Sequence, residues 1–165
     1  MKQLKQQTCL ALLLAATIFA SCKKDNRPVV EPEPPIVAER RGMYVLCEGL
    51  FNANNTTLAY YNYEDKKLVN DQFFSVNGRG LGDTGNDLKL YGSKMYAIVN
   101  VSSTLEIINP KTGVALKKID MKDNGVGRQP RYIVFNNNKA YISSFDGTVA
   151  VLDTASMAIE QYIEV

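Results

Sequence analysis

Hydrogen-bonding and charged side chains collect in four polar, glycine-rich segments, residues 49–56, 77–86, 100–103 and 121–130. They hold Asn52, Asn55, Arg79, Asp83, Asn100 and Arg128, with Arg131 directly after the last. Arginine is a planar, multidentate donor suited to an anionic or amide-rich ligand. With the donors and acceptors of asparagine it would line a polar site for a small molecule. The plainer alternative is that these are solvated loop charges. No nucleophile, base and orienter occur together, and the absence of histidine removes imidazole from both acid–base catalysis and metal ligation. The set therefore reads as a binding surface and not as an enzyme, with no cofactor. Gly78-x-Gly80-x-Gly82 looks like a phosphate-binding string, but it precedes a strand-like run where a dinucleotide loop would open a helix. Tight turns explain its glycines more simply. Asp83, Asn86 and Asp87 lack the spacing of a calcium loop, so no metal ligands are assigned.

A different chemistry is written at the start. Lys2 and Lys5 precede an apolar run from Thr8 to Ala20, which is too short to span a bilayer and has the length of a signal-peptide core. Phe19-Ala20-Ser21-Cys22 resembles a lipobox, so residues 1–21 are expected to be a lipoprotein signal peptide and Cys22 the acylated first residue. An ordinary cleaved signal with an incidental cysteine is the alternative. Residues 22–42 combine four prolines with charges and read as an extended tether. Lys23-Lys24-Asp25 is loosely similar to charged export signals of gut-bacterial lipoproteins. The expected location is the outer membrane, lipid-anchored and facing outward.

Removing residues 1–21 takes two lysines from the 19 basic residues and leaves 17 against 17 acidic ones. Near-zero net charge argues against a nucleic-acid binder and against a polybasic membrane patch. Cys47 has no partner in the folded part and sits in the apolar run 43–47, where it reads as a small buried hydrophobe.

From Met43 onward the chain alternates β-branched and aromatic runs with Gly, Asn and Asp, and no sustained helical spacing occurs. It also repeats. Lys94-Met95-Tyr96 matches Lys139-Ala140-Tyr141 at a spacing of 45, and Thr104–Asn109 matches Thr148–Asp153 at 44. A period near 45 with four strands is that of a β-propeller blade. The predicted units are blade 1 (strands B to D, 43–75), blade 2 (86–120) and blade 3 (130–165), with Leu68 to Phe74 as the outer strand of the first. Strands A are innermost, and the D-to-A and B-to-C loops share one end. Residues 43–165 supply about 2.7 blades where rings usually have six to eight. The expectation is an N-terminal fragment of a seven-bladed ring of roughly 350 residues, with exposed edges prone to self-association. Tyr44, Tyr60, Tyr61, Tyr96 and Tyr141 are assigned to blade packing.

The blade pattern resembles the YncE-like and surface-layer-type propellers. More narrowly, Cys47-Glu48-Gly49-x-Phe51, Thr57-Leu58-x-Tyr60-Tyr61-Asn62, Asn77-Gly78 with Leu81-Gly82-Asp83, Val99-Asn100 and Pro130-Arg131-Tyr132-Ile133 resemble the opening of propeller lipoproteins of gut bacteria. Some of these capture cobalamin (vitamin B12) and deliver it to a TonB-dependent outer-membrane transporter. The resemblance implies a non-enzymatic surface protein that captures a small nutrient with such a transporter as partner. A structural or adhesive propeller that binds protein or glycan is the alternative.

Overall fold

Period-two alternation of apolar residues gives a strand two usable faces, and the runs after Arg41 use them unequally. The computed structural model describes residues 41–165, which belong to one compact unit; the signal peptide, Cys22 and the tether up to residue 40 lie outside the described residues.

Among the described residues, thirteen strands and one helix follow in order. The first sheet contains β1 (Gly42–Cys47), β2 (Thr57–Asn62) and β3 (Leu68–Val69), and α1 (Gln72–Asn77) follows it. The second contains β4 (Gly85–Tyr91), β5 (Lys94–Val99), β6 (Thr104–Ile108) and β7 (Ala115–Asp120). A two-stranded ribbon, β8 (Lys122–Asp123) and β9 (Val126–Gly127), leads to the third sheet. That sheet contains β10 (Pro130–Asn136), β11 (Lys139–Ser144), β12 (Thr148–Asp153) and β13 (Ala158–Glu164). Each sheet is an antiparallel meander in chain order, the strand order of a propeller blade. The fold is all-β and blade-like.

The second sheet is covered on both sides. Met95, Ala97, Val99 and Ile108 join Leu58, Phe73 and Leu81 in the core against the first sheet. Their neighbours Tyr96, Ile98, Leu105 and Ile107 join Ile133, Ala140, Ile142, Ala150 and Leu152 against the third. The two outer sheets each bury one face. On β1, Tyr44 and Leu46 point inward while Met43, Val45 and Cys47 are exposed. The expectation of a buried Cys47 is thereby corrected: it falls on the outward register of an edge strand, a face nothing covers among the described residues.

The outer strand expected over Leu68 to Phe74 is also corrected. Only Leu68 and Val69 pair, with Tyr61 and Tyr60. Asp71 then caps a helix by accepting the Phe74 N–H at 3.0 Å, as an N-cap carboxylate does. Gly78, at φ 65°, ends that helix in the left-handed conformation. Phe73 alone turns fully inward, so α1 fills the wedge where a regular outer strand would lie.

Candidate functional site

The connections from β1 to β2, β5 to β6 and β11 to β12 meet the segments that enter β4 and β10, all at one end of the sheets. Thr56 N–H donates to the Gly82 carbonyl at 3.1 Å and Gly85 N–H to Glu48 at 3.1 Å. Asn100 N–H donates to Thr84 at 2.7 Å, and Phe145 N–H to Gln129 at 3.0 Å.

Most of the expected site residues hold this end together. Asp83 is buried, and its carboxylate accepts the N–H groups of Asn52 at 3.1 Å and Asn54 at 3.2 Å, and the Thr84 hydroxyl at 2.7 Å. Two asparagines in left-handed conformation, φ 60° and 50°, aim those N–H groups inward, which asparagine tolerates better than most residues. Asn55 braces the same loop by accepting the Leu50 N–H at 2.8 Å. Gly82, at φ 134°, packs against Ser102 where a Cβ would collide. Asn100 is buried and donates through Nδ2 to the Pro130 carbonyl at 2.9 Å. Asp87 accepts the Ile133 and Leu88 N–H groups. The carboxylates of Asp83 and Asp87 are thus occupied by N–H donors, and no group of three potential metal ligands occurs among the described residues.

Two arginines are committed elsewhere. Arg79 leaves the loop end and forms a double hydrogen bond with Glu106, Nη1 to Oε1 at 2.7 Å and Nη2 to Oε2 at 3.0 Å. The Glu106 side chain is fully buried on the central β6. Arg79 also stacks on Phe73, 4.9 Å from the ring centroid. The bonds to Glu106 raise the Arg79 pKa, with burial opposing more weakly. Arg128 bridges Asp146 at 2.8 Å and Asp123 at 3.1 Å and lies 4.2 Å over the Tyr162 ring. Burial works to lower its pKa, but the hydrogen bond to Asp146 and both carboxylate charges outweigh it.

Arg131 is the exception. The register shifts between Gly85 and Asp87 and between Pro130 and Tyr132, so Asn86 and Arg131 are the bulge residues of the two innermost strands. They are equivalent at a spacing of 45. Each follows a left-handed residue two positions earlier, Thr84 at φ 62° and Gln129 at φ 52°. Bulges re-aim side chains and are common beside functional sites. Asn86 Nδ2 donates to the Arg131 carbonyl at 2.8 Å, so the paired bulges are in contact. The Arg131 guanidinium lies 5.9 Å over Tyr132 and has no ion-pair partner among the described residues. The connections at this end, β9 included, also present Leu50, Phe51, Val126 and Phe145, each strongly exposed. Asn86, Val126 and Phe145 were not assigned as site residues from sequence. The 45-residue repeat carries the signal for Asn86, since it falls on the position of Arg131.

The family model described as "Domain of unknown function (DUF5074)" matches residues 41–165, the whole described stack. The chain belongs to this family. No curated protein matches this DUF5074 chain. Among solved structures it is similar to Kuenenia stuttgartiensis hydrazine synthase, with 15% identity and a TM-score of 0.51 over 66% of this chain and 30% of that one. Citrobacter koseri AztD matches at 16% identity and TM-score 0.49, covering 74% and 32%. A nidogen/laminin complex matches at 13% and 0.49, covering 76% and 43%. At such identities the likeness to the hydrazine synthase concerns fold alone. The DUF5074 chain spans 30% to 43% of the length of these three structures.

Proposed function

We propose that the loop end is a non-enzymatic capture surface for a small nutrient, with cobalamin as the first candidate and a TonB-dependent outer-membrane transporter as the recipient. The protein would be held at the outer membrane through acylated Cys22. The observation that carries the reading is the pair of contacting bulges, Asn86 and Arg131, on the innermost strands. They supply amide and guanidinium groups at an end where Asp83 and Asn100 are hydrogen-bonded internally and Arg128 is ion-paired with Asp146 and Asp123. Recognition there would rest on hydrogen bonds and contact area, without a group poised for covalent chemistry.

Calorimetric titration of cyanocobalamin into the purified protein tests the proposal. Saturable binding that weakens about tenfold or more in Arg131→Ala, as expected for loss of a charged hydrogen-bond donor, supports it. No heat of binding from folded protein would remove cobalamin. The exposed Leu50, Phe51, Val126 and Phe145 favour a second reading, an adhesive propeller that holds a protein or glycan. In that case Phe51→Ala and Phe145→Ala would abolish adhesion to its target while Arg131→Ala leaves it intact.

A further inference from the structure

The two outer sheets leave faces of opposite kind. On the third sheet the register sets Tyr132, Ser143, Val149 and Ile163 in one cross-strand row and Val134, Tyr141, Val151 and Gln161 in the next but one. Residues directly opposite in an antiparallel pair share a face. The intervening row, Ile133, Ile142, Ala150 and Tyr162, packs toward the second sheet, so the two rows lie on the side away from it. Tyr132 and Val134 are 57% and 62% exposed there. On the first sheet the side away from the second carries Met43 opposite Tyr61, Val45 opposite Ala59 and Cys47 opposite Thr57. Met43, Val45 and Cys47 are exposed.

Each open face has an equivalent that is buried inside the molecule. Tyr96 and Ile98 precede Tyr141 and Ser143 by 45 residues, and Leu105 and Ile107 precede Val149 and Val151 by 44. These four form the fully buried face of the second sheet against the third. The open face of the third sheet is therefore the kind that packs on a following sheet. The first sheet shows the other kind. Met43-Tyr44 aligns with Met95-Tyr96, and Thr57–Asn62 with Thr148–Asp153. Met43 and Val45 thus correspond to Met95 and Ala97, which the second sheet buries against the first. Ala59 corresponds to Ala150, which the third sheet buries against the second. The two open faces are the two halves of a contact that one chain already makes twice. On β10 the open half is also more apolar than its buried equivalent, since Tyr132 and Val134 stand where the second sheet has Asp87 and Lys89.

We propose that the first sheet of a second copy of this chain docks on the third sheet, head to tail, repeating the contact between the second and third sheets. Faces of opposite kind make this a heterologous contact and not a two-fold one. It is reversible, so a dilute chain shows both faces bare. The test mixes two versions of the chain from Cys22 onward, the mature form expected from the sequence. One keeps Cys47; the other carries Cys47→Ser and Ser143→Cys. After treatment with a bismaleimide, peptide mapping reads which cysteines are joined, and a link from Cys47 to position 143 arises only between copies. That link is expected to predominate, with an average mass in ultracentrifugation that rises with concentration. An unpaired carboxylate buried in the contact is costly, so Val45→Glu on the first version, or Val134→Glu on the second, should cut the link roughly tenfold. Val134→Glu on the first version should leave it in place, because that face is not the one being joined. A single-copy mass at every concentration, or links that join 47 to 47 in place of 47 to 143, overturns the proposal. If Ser143→Cys does not fold by circular dichroism, Gln161→Cys on the same face is read by the same criteria.

Discussion

The second sheet and the first are neighbours built to different rules. The second alternates two apolar faces and is sealed between neighbours by hydrophobic burial on both sides, with hydrogen bonds joining Asn86, Asp87 and Asn100 to the third sheet added at the loop end. The first has three strands, a helix in place of the fourth and one open face. It is joined to the second by polar sutures: the Asp83 carboxylate across two loops, Asn77 across the turn at Gly113, and Arg79 on Glu106. The contrast teaches that where the repeat is regular, alternating side chains bury both faces of a sheet. Where it breaks, buried hydrogen bonds take over, each costly to leave half-made.

The sharpest test of the sealed sheet is Ile98→Ala, a fully buried residue at its centre. It should cost about 4 kcal/mol in urea unfolding, whereas Val45→Ala on the open face of the first sheet should cost under about 0.5 kcal/mol. Equal costs would mean that the open face is covered in solution. Next comes Arg79→Ala, which strands the buried Glu106 and should cost about 3 kcal/mol. Lys118, 3.9 Å from Glu106, limits the loss. Arg128→Ala on the third sheet removes a bridge between partly exposed carboxylates and should cost about 1 kcal/mol or less. A reversed order would show that the sutures of the first sheet are dispensable.

The smallest effect is that of acid on the third sheet. Burial works to raise the Asp146 pKa, but hydrogen bonds from Thr148 and Arg128 outweigh it and hold it below the ordinary aspartate value. A depressed carboxylate stabilises fully above its unfolded value, about 3.9, and loses that contribution as pH falls through the folded value. Wild type should therefore melt higher than Asp146→Asn at pH 7, with the difference shrinking as pH falls below the unfolded value. A constant difference would show that the Arg128 bridge contributes through shape and not charge.

The second and third sheets were legible because Lys94-Met95-Tyr96 and Lys139-Ala140-Tyr141 recur in register, and alternation sorted their faces. The run at Leu68 misled because Phe73, Phe74 and Val76 have strand-like composition, while the deciding feature is Asp71, a single cap. The site was less legible still. Asp83, Arg79 and Asn100 have the chemistry of ligand contacts, but their partners lie 27 to 31 residues away and consume them on folding. Arg131 was named from its side-chain chemistry, and Asn86 was recoverable in principle, since the repeat places the two at equivalent positions.

The outward register of β1 has a practical consequence. Cys47 lies on the open face of the first sheet with its thiol exposed, in line with Met43 and Val45. The rate at which a maleimide modifies the peptide containing Cys47 is therefore a direct gauge of that face: fast while the sheet stands bare, and slowed once another layer of strands, from any polypeptide, closes over it.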